Sequence, residues 1–169
     1  ENIDFYLAMS LDGISVLNDL AGGVTVTLED DFSAADPAMT KGATLTLQGD
    51  QAEIFVRRRM DIGEGTNEAR MVRQEEYLAQ LSAQLESRVQ QDQQFTAQVY
   101  DALQPYLVTD LAKGQLVNEV WAAKDDTVEP AIALEGEHKV AEDGFTEFYP
   151  TEASIQKAVL TLFWEPVEE

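Results

Sequence analysis

Apolar residues recur along this chain with two periods, and the period marks the elements. "NIDFYLAMS" is β-branched and aromatic and predicts a strand over Ile3–Ala8. In "LDGISVLNDLAGG", Leu11, Ile14, Leu17 and Leu20 recur at helical spacing, Ser10 is placed to cap, and Gly22–Gly23 stops the helix. "GVTVTLEDDF" alternates, with Val24, Val26 and Leu28 inward against Thr25 and Thr27. Strand, short helix and strand in about thirty residues suggest a βαβ-like unit, hence a sheet with helices packed on it.

The pattern continues with a loop, "SAADPAMTKGA", and a short extended piece, "TLTLQG". Ala52, Phe55 and Val56 fall at i, i+3, i+4 and favour a helix. "DIGEGTN" is a loop, and Thr66 and Asn67 are both suitable caps for a long helix beyond it. Its expected apolar stripe is Met71, Leu78, Leu81 and Leu85. Two more helices are expected in "DQQFTAQVYDALQPYL" and "DLAKGQLVNEVWAA", then a turn at "DDTVEP". "AIALEG" and "FTEFYP" predict two strands joined by an "EHKVAEDG" loop that leaves His138 at the surface. A closing helix, "TEASIQKAVLTLFW", should be capped by Thr151 and turn Ile155, Val159, Leu162 and Phe163 inward. Trp121, Phe148 and Trp164 are expected in the core.

The chain has 169 residues, 44% of them hydrophobic, which fits one domain with a real core. A net charge of −21 excludes a general nucleic-acid binder and a polybasic membrane-surface protein. The lack of cysteine excludes disulfides and thiolate sites, and a single His138 excludes two-histidine motifs. The chain opens at Glu1 inside structured-looking sequence, so it is expected to be part of a longer protein.

Against that acidity, "FVRRRMDIGEGTNEARMVRQ" (residues 55–74) stands out. Spread evenly, 11 Lys and Arg over 169 residues would put one or two in such a window, yet it holds Arg57, Arg58, Arg59, Arg70 and Arg73. The cluster has no lysine, and guanidinium matches phosphate oxygens two at a time where an ammonium does not. A glycine loop and a helix N-terminus lie between the two arginine groups, a combination suited to phosphate or pyrophosphate. Offsets of three and four place Arg70, Arg73 and Gln74 on one helical face. The ordinary alternative is surface pairing with Glu64, Glu68, Glu75 and Glu76.

The ordered motifs carry a resemblance. Phe55, then Arg57-x-Arg59, the "DIGEGTN" loop and Arg70-x-x-Arg73-Gln74 resemble the LytR-CpsA-Psr (LCP) family of bacterial cell-envelope proteins. "LNDLAGGVTVTLEDDF", "KGATLTLQGDQAEIFVRRR" and "TEFYPTEASIQKAVLTLF" are similar to other segments of that family. The resemblance implies an α/β fold, a central mixed sheet sandwiched by helices, with residues 1–169 forming a single LCP-like domain that is incomplete on its N-terminal side. It implies a phosphotransferase that moves a glycopolymer, of teichoic acid or capsular polysaccharide type, from polyprenyl pyrophosphate to peptidoglycan. It also implies an N-terminal transmembrane anchor outside this chain, action on the extracellular face of the membrane, Mg²⁺, and an apolar pocket for the lipid. Carried over by motif, Arg57, Arg59, Arg70 and Gln74 are the catalytic, pyrophosphate-binding set, with Gln74 orienting a phosphate oxygen or a water. Arg73 belongs to the pattern, with pyrophosphate binding and a structural role both open. Arg58, between the two motif arginines, is expected to face solvent.

Two departures matter. The family often has Asp where this chain has Asn67, which leaves a metal or base role there in doubt and a plain helix cap as the other reading. Nothing matches the family's R-S-D and S-I-P-R-D strands, which supply its metal-binding aspartates, so no metal ligand is assigned, not even Glu29-Asp30-Asp31. The chain alone is therefore expected to be inactive. The alternative function is a non-catalytic module that binds polyprenyl phosphate or wall polymer, in keeping with the family's older label of transcriptional attenuator.

Overall fold

The computed structural model describes residues 4–126 and 132–164. The chain divides into two compact units, Glu1–Asp126 and Thr127–Glu169. The α/β class expected from the sequence is what it shows.

The first unit contains β1 (Leu7–Met9), α1 (Gly13–Ala21), β2 (Thr25–Thr27), β3 (Thr44–Thr46), α2 (Asp50–Arg57), α3 (Asn67–Gln91), α4 (Phe95–Leu103), β4 (Leu107–Thr109) and α5 (Lys113–Ala122). Gly22 ends α1 in the left-handed conformation, φ 105°, where its lack of a Cβ removes the steric cost. β2 pairs antiparallel with β3, matching Val26 to Leu45. Val24, Val26 and Leu28 are buried, while the outward threonines join hydroxyls across the ladder, Thr25 to Thr46 and Thr27 to Thr44 at 2.8 Å each.

β1 pairs antiparallel with β4, not with β2, so the expected βαβ unit is absent among the described residues. The reason lies at Pro105. A single 3-10 turn over Gln104–Tyr106 closes α4, and the chain then runs extended as β4, where the sequence had suggested continued helix. β1 itself begins four residues later than expected, and Ile3 lies outside the described residues.

The core joins α1, β2, β3, α2 and α3 through Val24, Val26, Leu28, Phe32, Met39, Leu47, Phe55, Ile62, Tyr77 and Leu81. At its centre Asn18 is fully buried and fully bonded. Its Nδ2 donates to the Leu47 carbonyl at 2.8 Å and to the Asp19 carboxylate at 3.0 Å. Its Oδ1 accepts from Val24 N at 3.1 Å and from the Tyr77 hydroxyl at 3.2 Å. A buried amide satisfied on both ends specifies how α1, β2 and α3 meet.

The stripe expected on α3 is rotated. Arg73, Tyr77 and Leu81 are the buried positions and Leu85 packs partly beside them, whereas Met71 and Leu78 are exposed. An arginine occupies a core position, and apolarity alone misplaces such a face.

The second unit is a hairpin, β5 (Gly136–Val140) with β6 (Thr146–Pro150), followed by α6 (Glu152–Phe163). His138 is exposed as expected, but within β5, because the strand starts later and the turn tightens around Gly144 at φ 83°. Thr151 caps α6, accepting from Ser154 N at 3.2 Å. Ile155, Val159, Leu162 and Phe163 are exposed, contrary to expectation, as are Trp164 and Phe148, while Ala158 is buried. One hairpin and one helix have too little surface to enclose so many large side chains. Trp121, in the first unit, is half-buried, with the Lys124 ammonium 5.4 Å from its ring centre. The expected turn at "DDTVEP" lies mostly outside the described residues. No described helix is long and apolar enough to cross a membrane.

Candidate functional site

The arginines are placed by the junction between α2 and α3. α2 ends when Arg58 turns extended (φ −69°, ψ 133°), which leaves the last carbonyls of the helix without intrahelical donors. Side chains from α3 supply them. Arg73 Nη2 donates to the Arg58 carbonyl at 2.6 Å and Nε to that of Phe55 at 3.3 Å. Gln74 Nε2 donates to the Val56 carbonyl at 2.9 Å. Arg73 Nη1 lies 3.6 Å from Asp30 Oδ2, and the guanidinium stands 5.3 Å from the centre of the Phe32 ring. Burial pushes the Arg73 guanidinium below its ordinary value, Asp30 opposes this, and Arg70 adds to the lowering. Arg73 is thus turned into the protein, a quarter-turn of helix away from Arg70 and Gln74.

Asp30 meets this clasp from the other side. Gly63 has φ 48°, and a Cβ there would lie 2.3 Å from Asp30 Oδ1, so only glycine lets the loop pass under the carboxylate. Asp31, next to it, accepts from Ser33 N at 3.0 Å, and that bond holds its carboxyl below the usual range.

Arg57, Arg70 and Gln74 come together. They line one cavity of about 510 Å³, whose remaining wall is apolar, from Met9, Ile14 and Leu17 to Tyr77, Leu78 and Leu81. The exposure of Leu78 follows from its place on this wall. A second cavity of about 280 Å³ is lined almost entirely by apolar side chains, including Leu85, Phe95 and Leu103, and shares Met9 and Leu17 with the first. Arg70 Nη2 donates to the side-chain amide oxygen of Asn67, while Arg70 Nε is buried with no acceptor among the described residues.

Thr66, not Asn67, caps α3, accepting from Ala69 N at 3.1 Å; the Asn67 side chain holds Arg70 instead. Arg57 is mostly exposed and pairs with Glu53 at 2.6 Å. Arg59 is also exposed and lies on a neighbouring cleft of about 520 Å³ with Arg57 and Arg58, not on the wall shared by Arg70 and Gln74. Arg58 is half-buried along that cleft, contrary to the expectation that it faces solvent, because the chain is extended there and the helical period no longer applies. Among the described residues, Glu64, Glu68, Glu75 and Glu76 pair with none of the arginines; the two ion pairs of the cluster use Glu53 and Asp30.

Mg²⁺ needs an oxygen-rich, near-octahedral donor set. The described residues contain no group of three or more acidic or histidine side chains placed to hold a metal. Near the cavity, Asp30 is tied to Arg73, and Asn67 offers an amide oxygen already bonded to Arg70. These residues do not fit the ion.

The sequence profile of the LytR_cpsA_psr family matches residues 1–162. The chain belongs to the LytR-CpsA-Psr family. Solved structures share its fold. Protein gbs0355 from Streptococcus agalactiae superposes with a TM-score of 0.74 at 21% identity, covering 95% of this chain and 57% of that one. TagV of B. subtilis gives 0.62 at 17%, covering 97% and 66%. TagT, solved bound to LI-WTA, gives 0.65 at 18%, covering 92% and 58%. The LytR-CpsA-Psr chain described here thus spans well under the full length of these relatives. Comparison with curated protein sequences gives no match.

Proposed function

We propose that this LytR-CpsA-Psr chain is the lipid- and pyrophosphate-holding part of a phosphotransferase. Its reaction would move an anionic wall glycopolymer from polyprenyl pyrophosphate to peptidoglycan on the outer face of a bacterial membrane. The observation that carries this reading is that Arg57, Arg70 and Gln74 line one otherwise apolar cavity. Such a cavity suits a ligand with a long apolar tail and a multiply charged head. The TagT relative bound to LI-WTA supports a glycopolymer as the cargo.

In this account the tail lies along Met9, Leu17 and Leu81 and extends into the adjoining apolar cavity. The pyrophosphate takes the guanidiniums of Arg57 and Arg70, which border the same cavity. Gln74 keeps one N–H to donate to a phosphate oxygen and its amide oxygen to accept from a water. The acceptor hydroxyl oxygen bonds to the sugar-linked phosphorus, and its proton passes to the departing phosphate. The bond from that phosphorus to the bridging oxygen breaks, and polyprenyl phosphate leaves with the electron pair. Negative charge grows on the leaving phosphate, where positioned guanidiniums stabilise it. Arg73 acts through the α2 terminus and has no place on the ligand.

A second reading, a module that binds the same lipid without turnover, is favoured by one observation. The position where the family often has Asp is an amide that holds Arg70, so it supplies neither a base nor an anionic metal ligand. Release of polyprenyl phosphate from a sugar-bearing polyprenyl diphosphate, with peptidoglycan as acceptor, separates the two. The enzyme reading expects Mg²⁺-dependent release by a longer protein carrying this chain, and binding without release by residues 1–169 alone. Binding without release by both would favour the second reading.

A further inference from the structure

Met9 and Leu17 line both the cavity of about 510 Å³ and the apolar cavity of about 280 Å³. Arg57 and Arg70 border the first only, and among the described residues no charged side chain lines the second. A molecule with its head at the arginines therefore reaches the second cavity past Met9 and Leu17. These two differ in freedom. Leu17 lies in α1 and packs against the core, whereas Met9 stands outside that cluster, half-buried at the end of β1. The Met9 backbone is held by pairing with Leu107, and the next residue, Ser10, donates its N–H to the Tyr106 carbonyl at 2.9 Å. What can move is the unbranched Met9 side chain, with three rotatable bonds and a polarizable sulfur. Gly13 supplies its seat. A Cβ on Gly13 would lie 2.7 Å from Met9 Cγ and 2.8 Å from Sδ, so the thioether fills the space a side chain would take there. Gly13 opens α1 without a positive φ, and close approach rather than backbone conformation is what calls for glycine.

We infer that Met9, seated against Gly13, is the specificity-determining residue for tail length: its side chain sets whether an apolar tail stops in the first cavity or runs on into the second. The inference rests on the reading proposed above. A tail that ends in the first cavity gains little from a change in the passage. A longer tail buries its extra isoprene units only beyond Met9, so the side chain there decides how much that length adds to affinity. A smaller group at position 9 widens the passage, and a bulkier, stiffer one closes it.

Calorimetric titration of residues 1–169 with geranyl, farnesyl and geranylgeranyl diphosphate reads the gain in affinity as the tail lengthens under a constant head. Relative to wild type, that gain should rise in Met9→Ala and fall in Met9→Phe, each by about fivefold or more. Gly13→Ala drives the Met9 side chain from its seat, so it should change the gain when Met9 is present and leave it unchanged beside Met9→Ala. Its new Cβ also lies 3.1 Å from Tyr106 Cβ, so circular dichroism checks every variant, and the two Met9 variants decide if Gly13→Ala does not fold. The same gain in all proteins, or a gain that falls alike in Met9→Ala and Met9→Phe, as packing damage alone would make it, would overturn the inference. A wild-type chain that holds none of the three diphosphates would instead overturn the reading on which it stands.

Discussion

Arg73 Nη2 donates to the Arg58 carbonyl at 2.6 Å, across the loop that separates the two arginine groups of the motif. This bond ties the exit of α2 to the second turn of α3. Arg73 therefore holds the backbone from which Arg57 and Arg59 project.

Removing that tie should act first on stability. Arg73→Ala leaves the Phe55 and Arg58 carbonyls without their donor and Asp30 without its partner. Lost charged hydrogen bonds of this kind cost about 3 kcal/mol together. Urea denaturation of the variant should show a loss of that order, with Arg73→Lys recovering only part of it because an ammonium lacks the fork geometry.

Gly63 and Asp30 should be energetically coupled. Gly63→Ala places a Cβ against the Asp30 carboxylate at a positive φ, with a backbone cost of about 1–2 kcal/mol before any clash. In an Asp30→Ala background the clash is gone and only the backbone cost remains. A double-mutant cycle on unfolding free energies should therefore give a non-zero coupling, and additivity would show that the carboxylate does not sit over the loop.

Alkaline stability should depend on Tyr77. Burial, with Asp19 nearby, pushes its hydroxyl up to about 12 from the ordinary 10.0. The native state keeps the proton longer than the unfolded chain. The contribution is present in full below pH about 10 and is lost as the pH rises toward about 12. Tyr77→Phe should flatten stability over that window in thermal melts, and should lower it at neutral pH by about 1 kcal/mol through loss of the bond to Asn18.

Much of this was legible from pattern. Ala52, Phe55 and Val56 marked α2, Thr25 and Thr27 marked the outward face of β2, and the arginine spacing marked the region of the site. What stayed hidden depends on contacts distant in sequence. In the sequence Arg73 leaves ligand binding and a structural role equally open until Asp30, forty-three positions earlier, and the Phe55 and Arg58 carbonyls are found around it. Leu78 reads as core because a cavity wall and a core have the same apolar signature. Ile155, Val159 and Phe163 have the spacing of an inward face, but spacing does not say whether anything in the chain covers it. Asn18 gave no signal at all, since a buried amide differs from a surface one only in its partners.

The central claim is that Arg57, Arg70 and Gln74 hold a diphosphate head while the apolar cavity holds its tail. Calorimetric titration of farnesyl diphosphate into residues 1–169 tests it most directly, with Arg70→Ala and Arg57→Ala titrated in parallel. Wild-type binding tighter than that of farnesol or inorganic pyrophosphate, weakened about tenfold or more by either substitution, is the predicted result. Affinity that is the same in all three proteins, or no better for the diphosphate than for farnesol, would contradict it.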